Sequence, residues 1–405
     1  MKTKTLAFYL VRQLPQTYDK QKRTGIRRQI TNMNTGGESE QIHHLLVPQE
    51  IITEILSKLP VNSLLRFKSV SKSWRFLISS KHLIKTHLEY SKKNEYSART
   101  RIISTTSKFG RSLCTFSLRL LLTKPVFRGC PLDFPINNYA GDLCVVGSCN
   151  GLICIVVDEY KFWLCNPSTR EFKQLPPVFT GLGSITRYGF GFDESNNDYK
   201  VYAFLTRVFG NRERRAMGRM YSLKADSWGR EQELFVDGSP FYAKDCQLGK
   251  FVSGKLHWIS LKFEIVRLDL KSETFGLVEG LPSCFEGGSC PRLGVLDGRL
   301  CVSCSYLNES RFDIWIWNEY GVEDSWTKFA SISYPLGPLS PRSSPLCMLP
   351  DGDVLFNRGL NFVIYNPKDK RFRESYVYNF DGDRRVDLYT ESLVSLASDD
   401  DGEYK

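Results

Sequence analysis

The sequence predicts two parts of opposite class: a small all-α module over residues 45–88, then a large all-β domain over residues 100–397, a β-propeller of six or seven blades. Three observations carry that prediction. Apolar residues at helical spacing are confined to the first part. Through the second, a glycine turn followed by strand patterns returns at a period typical of propeller blades. Aromatic residues make up 13% of the chain, a richness that favours strands.

In the first part, Ile51, Ile52, Ile55, Leu56 and Leu59 fall on one stripe of a helix. Pro48 suits its first turn, where a missing N–H costs nothing, and Glu50 and Glu54 suit its positive end. Leu59-Pro60 ends it. Asn62 or Ser63 is the expected cap of a second helix carrying Leu64, Leu65, Phe67 and Val70. Val70, Trp74, Leu77 and Ile78 mark a third, with Ser71 or Ser73 as its cap. Three helices this short make too small a core to stand alone. The stretch holds no cysteine, and only His82 and His87 could bind metal. A partner is the expected remedy, docked on the apolar surface the helices cannot bury among themselves.

These residues resemble the F-box family. The features are Val47-Pro48, Glu50-Ile51-Ile52, Glu54-Ile55-Leu56, Leu59-Pro60, Ser63-Leu64-Leu65-Arg66-Phe67-Lys68, Val70-Ser71-Lys72 and Trp74. The usual Leu-Pro opening is Val47-Pro48 here, a conservative departure. The resemblance implies docking onto a Skp-type adaptor, and through it a cullin, by Val47, Pro48, Ile51, Ile52, Ile55, Leu56, Leu59, Pro60, Leu64, Phe67, Val70 and Trp74.

After a polar stretch at 89–99, read as a linker, the texture changes to alternating apolar residues broken by turns. Glycine turns lead into strands at Asn150-Gly151, Ser253-Gly254, Asp297-Gly298 and Asp351-Gly352, where a hairpin needs positive φ. Each is followed by a second strand ending near 166, 269, 318 or 366, and Met220–Asp226 fills the gap in that series. Five units are visible. Pairing 100–123 with 386–396 would close a sixth, because a ring removes exposed edges.

This region is similar to the F-box-associated domain of the large plant F-box family. The matching pieces are Cys149-Asn150-Gly151-Leu152, Trp163-Leu164-Cys165-Asn166-Pro167-Ser168-Thr169-Arg170, Tyr188-Gly189-Phe190-Gly191-Phe192-Asp193, Tyr199-Lys200-Val201 and Leu256-His257-Trp258. Nothing between 100 and 140 is recognisable. Together the resemblances imply the substrate-recognition subunit of a Skp/cullin/F-box-type ubiquitin ligase, a non-catalytic adaptor in which the β-domain holds a target protein. The competing expectations are a propeller scaffold acting outside ubiquitination and an enzyme working in the propeller channel. Loops at one rim are the expected target face. The candidates are the basic hairpin 207–217, with Arg207, Arg212, Arg214 and Arg215, and the proline-rich loop 336–345, with Arg342.

Charge and cysteine need locating before they mean anything. The net +11 is concentrated at the start: residues 1–33 hold eight basic groups against Asp19 alone, leaving only +4 for the rest. A near-neutral body argues against nucleic acid. The basic leader, 1–44, reads as a solvated tail, with a nuclear signal, an organellar presequence or a start at Met33 as alternatives. The tail 398–405 is acidic. No apolar run approaches a membrane span. The twelve cysteines are too sparse for a disulfide scaffold, and Cys301 and Cys304 lack the second pair a zinc site needs. Buried free thiols, and a cytoplasmic or nuclear location, are expected. Gly189-Phe190-Gly191 reads as close strand packing rather than a phosphate loop, and His257 as a core or channel-lining residue. No catalytic residue, metal or cofactor is expected.

Overall fold

The computed structural model describes residues 49–93, 99–106, 112–135, 142–178, 184–208, 214–234, 248–260, 263–282, 290–333, 339, 343–359, 361–378 and 386–397. The leader, Val47, Pro48 and the acidic tail lie outside the described residues. The chain divides into a helical unit, which includes Glu391–Leu393, and a β unit.

The β unit contains six sheets. Near its start come β1 (Thr100–Thr106), β2 (Ser112–Ser117), a helix at Leu118–Thr123, β3 (Val126–Arg128) and β4 (Cys130–Leu132). Five blades then follow in chain order. The first is β5 (Leu143–Cys149), β6 (Leu152–Val157), β7 (Lys161–Asn166) and β8 (Glu171–Gln174). The next is β9 (Ser184–Asp193), β10 (Asp198–Val208), β11 (Arg214–Ser222) and β12 (Ser227–Trp228), with β13 (Gln232–Leu234) also on β11. After it come β14 (Lys250–Val252), β15 (Lys255–Ile259), β16 (Ile265–Asp269) and β17 (Phe275–Val278). Another holds β18 (Cys290–Leu296), β19 (Arg299–Tyr306), β20 (Arg311–Trp317) and β21 (Trp326–Ser333). The last holds β22 (Ser344–Met348), β23 (Val354–Asn357), β24 (Asn361–Asn366) and β25 (Arg371–Tyr378), with β3 added parallel to β25.

The remaining sheet closes the ring. β26 (Val386–Thr390) pairs antiparallel with β1, Ile102 opposite Leu388, giving the order β26-β1-β2-β4. This is a six-bladed propeller, and the closure between the two ends of the domain is the one the strand patterns call for. The helix at Leu118–Thr123 interrupts a domain read as all strand. Leu118 and Leu121 are buried against the closing sheet, so tertiary packing overrides the local pattern.

Two local devices repeat. At Asn150-Gly151, Ser253-Gly254 and Asp297-Gly298 both central residues have positive φ, which matches the turn to the strand twist. Between third and fourth strands, the side chains of Asn166, Asp269 and Asn366 accept from the backbone N–H two residues on, at 2.9 Å each. Arg170, Glu273 and Lys370 then adopt positive φ, and Phe172, Phe275 and Phe372 follow. The β9–β10 hairpin lacks a glycine. There Asp193 Oδ1 accepts from the N–H of Ser195 at 3.0 Å and of Asn196 at 3.3 Å, while Asn197 takes the positive φ.

The glycines of Gly189-Phe190-Gly191 do serve close packing. A Cβ on Gly189 would lie 2.6 Å from Leu256 and 2.7 Å from Trp258, both in the neighbouring blade. Among the cysteines, Cys114, Cys144, Cys149, Cys154, Cys165, Cys301 and Cys347 are buried thiols outside any disulfide. Burial raises the Cys301 thiol to about 12, which keeps it protonated and inert. Cys304 corrects the expectation of free thiols throughout, because it is disulfide-bonded. Composition counts cysteines; only strand pairing decides which of them meet.

His257 is wholly buried, with Nδ1 3.1 Å from the Lys250 carbonyl oxygen and Nε2 2.8 Å from the Tyr320 hydroxyl. Burial, helped by the charges of Arg267 and Lys255, lowers it to about 4, against the pull of the Lys250 carbonyl. A lowered pKa means the unfolded chain binds the extra proton first. The stability it contributes is therefore complete above pH ~6.5 and is lost as pH falls to about 4, amounting to about 3 kcal/mol. In denaturant titrations, about 2 kcal/mol should disappear between pH 7 and pH 5. His257→Gln should flatten that part of the curve, and an unchanged slope in the variant counts against the assignment.

Candidate functional site

The helical unit holds α1 (Gln49–Ser57), α2 (Val61–Phe67), α3 (Lys72–Ser79) and α4 (Lys81–Lys93). α1 is pinned by Glu54 and Lys58, paired at 2.8 Å one turn apart. α2 begins with Pro60 at its N-cap and no side-chain cap, so neither Asn62 nor Ser63 plays the expected role. Proline's fixed φ sets the helix entry there instead. Ser71 does cap α3: its hydroxyl accepts from Trp74 N–H at 3.1 Å. α4 runs through Lys93, so residues 89–93 are helix and not linker. Leu83 and His87 draw it onto the core, and His87 Nε2 lies 3.0 Å from the Leu59 carbonyl oxygen.

The residues expected to touch an adaptor fall into three sets. Ile55, Leu56, Leu59, Leu64 and Phe67 are buried and form the unit's own core with Val61, Ile78, Leu83 and Leu393. Ile51, Ile52 and Trp74 are half-buried against it, with Trp74 edge-on to Phe67 at 5.6 Å. Pro60 and Val70 are exposed. Beside them stands a residue the apolar stripes do not include. Phe76 is 81% exposed, the most accessible large apolar side chain described. Its signal was there to read: an aromatic lying off the buried stripe of an amphipathic helix.

In the β unit, Arg207 and Arg215 are opposite partners on β10 and β11, and Arg214 pairs with Val208. Arg212 and Arg342 lie outside the described residues. The proline-rich stretch is not all loop, since Ser344 and Pro345 open β22 and Leu339 is buried. Successive inner strands run the same way, as the parallel bridge of Tyr188 with Leu248 shows. The end of β10 and the start of β22 therefore lie on one face of the propeller, bringing the ends of both candidate segments to the same rim. Two exposed aromatics missed in the sequence share that rim: Tyr160, between β6 and β7, and Phe263, between β15 and β16. Among the described residues no group of His, Cys, Asp and Glu is placed to hold a metal ion.

Comparison with known proteins agrees with this division. Residues 45–86 match the F-box domain, and residues 111–390 match the F-box associated beta propeller domain. F-box/kelch-repeat protein At3g23880 of Arabidopsis thaliana is 31% identical over 86% of this chain and 95% of its own length. F-box protein CPR1 of the same plant is 28% identical over 71% of this chain and 73% of its own. F-box protein At5g49610, also from that plant, is 28% identical over 82% and 91%.

Proposed function

The chain belongs to the F-box proteins that carry an F-box associated β-propeller, and from that premise we propose that it is the substrate-recognition subunit of a Skp/cullin/F-box-type ubiquitin ligase. The observation that carries the proposal is a helical unit matching the F-box that buries its own core yet leaves Phe76, Val70 and Pro60 outside it. An 81% exposed phenylalanine costs solvation energy in the free protein and is recovered when a partner covers it. The adaptor docks on these exposed apolar residues, with the half-buried Ile51, Ile52 and Trp74 as further contacts.

The propeller rim holds the target. Arg207 and Arg215 are register partners on β10 and β11, with Arg214 next in sequence, and so basic a stretch favours an acidic or phosphorylated segment. The chain contributes no reactive group. It works by tethering, which raises the target's effective concentration beside a charged conjugating enzyme. Its compartment is the cytoplasm, the nucleus or both, and it needs neither nucleic acid nor a membrane.

Affinity capture with the proteasome inhibited tests the proposal, comparing the intact chain with one lacking residues 45–88. The intact chain should return adaptor, cullin and an enriched target, and the deletion should return the target alone. Capture of an adaptor without any cullin would leave a scaffold outside ubiquitination as the better reading.

A further inference from the structure

The helical unit is not built from the first part of the chain alone. Leu393, roughly three hundred residues after α4, is 3% exposed and belongs to the same core as Leu56, Leu59 and Leu64. Ser392 beside it is fully buried, and Glu391–Leu393 group with the helices rather than with the β unit. The segment on either side belongs to the propeller. β26 ends at Thr390; Asn166 Nδ2 donates to the Val394 carbonyl at 2.7 Å, and Leu396 N–H donates to Glu171 at 3.0 Å. Leu393 is thus held at both ends by ordered backbone, which lowers the entropy cost of placing its side chain.

We propose that Leu393 is a positioning residue for adaptor docking: the C-terminal segment Glu391–Leu393 completes the core on which the exposed face of α3 is mounted. The inference rests on the reading of the helices as the docking module, and it adds that this module requires the far end of the chain. A unit of four short helices buries few large side chains, so each one governs how long the unit stays closed. Leu393 touches the core without lying on the exposed face, so its loss acts on docking through the order of the helices. The helices alone, cut away from the C-terminal segment, form a looser unit than the same helices in the whole chain.

The test uses the full chain with Leu393→Asp and Leu393→Met. Two readouts are taken: hydrogen exchange of the α1 and α2 amides, which needs no partner, and capture of purified Skp-type adaptor. Leu393→Asp should speed exchange in these helices by about tenfold or more, leave β6 and β19 protected, and weaken capture correspondingly. Leu393→Met, similar in volume, should restore both. Helical exchange and capture unchanged in Leu393→Asp overturn the inference. If the wild-type chain captures no adaptor, the proposed function fails, and exchange alone still decides whether Leu393 orders the helices.

Discussion

Leu56→Asp combined with Leu59→Asp should abolish adaptor capture, and should do so by unfolding the helical unit rather than by spoiling a contact. Both leucines are fully buried. Truncating a buried leucine typically costs about 2–5 kcal/mol, and an unpaired carboxylate in its place adds a desolvation cost. Few small units survive two such changes. The informative partner experiment is Phe76→Asp. At 81% exposure the change should move stability by no more than about 0.5 kcal/mol. Capture should nonetheless fall by about thirtyfold, the loss expected for an aromatic anchor at an interface centre. Hydrogen exchange separates the cases: α1 and α2 lose protection in the leucine pair and keep it in Phe76→Asp. Normal capture by Phe76→Asp would remove this face of α3 from the docking surface.

That contrast shows where reading a sequence stops. Spacing places Ile55, Leu56 and Leu59 on one stripe, and all three are buried as a stripe should be. Spacing does not say which neighbour covers an apolar side chain. Ile55, Leu56 and Leu59 lie in the unit's own core, and Ile51 and Ile52 are half-buried against it. The residue left outside, Phe76, sits among the polar positions of α3. Leu393 was beyond reach for a different reason: no local pattern reports a contact across hundreds of residues.

The propeller divides the same way. Four hairpins announce themselves through glycine because their turns need positive φ. The β9–β10 turn meets the same demand with the Asp193 carboxylate and Asn197, so it carries no glycine to notice. The closing sheet could be anticipated from the need to hide strand edges, and β26 does pair with β1. Its internal detail could not, because its strands come from both ends of the domain and are broken by a helix. The proposed target face follows this limit too: which loops share a rim is set by topology and legible once the blades are counted, whereas the chemistry of a partner depends on side chains that no repeat constrains.

Lys200→Met should destabilise the propeller by about 3–5 kcal/mol, the range for removing one partner of a buried ion pair. Lys200 on β10 reaches Asp193 in its own blade at 3.1 Å and, in the next blade, Glu273 at 2.9 Å and the Leu270 carbonyl at 2.6 Å. The Lys200 and Asp193 side chains are only 6% and 1% exposed, so water cannot replace either partner. Burial alone would raise the Asp193 carboxyl, but the hydrogen bonds from Ser195, Asn196 and Lys200 outweigh it and hold it at about 2. The stability from that carboxylate is therefore present above its unfolded pKa near 3.8 and is lost as pH falls toward 2. Without Lys200 the acid loss should begin at higher pH, because one of the bonds opposing protonation is gone. Lys200→Met with Asp193→Asn should recover part of the deficit, since no charge is then left buried and unpaired; Glu273 is 44% exposed and can turn to water. Chemical denaturation of the two single variants and the double variant measures the coupling. A Lys200→Met chain within about 1 kcal/mol of the original would mean that the two blades are joined by apolar packing alone.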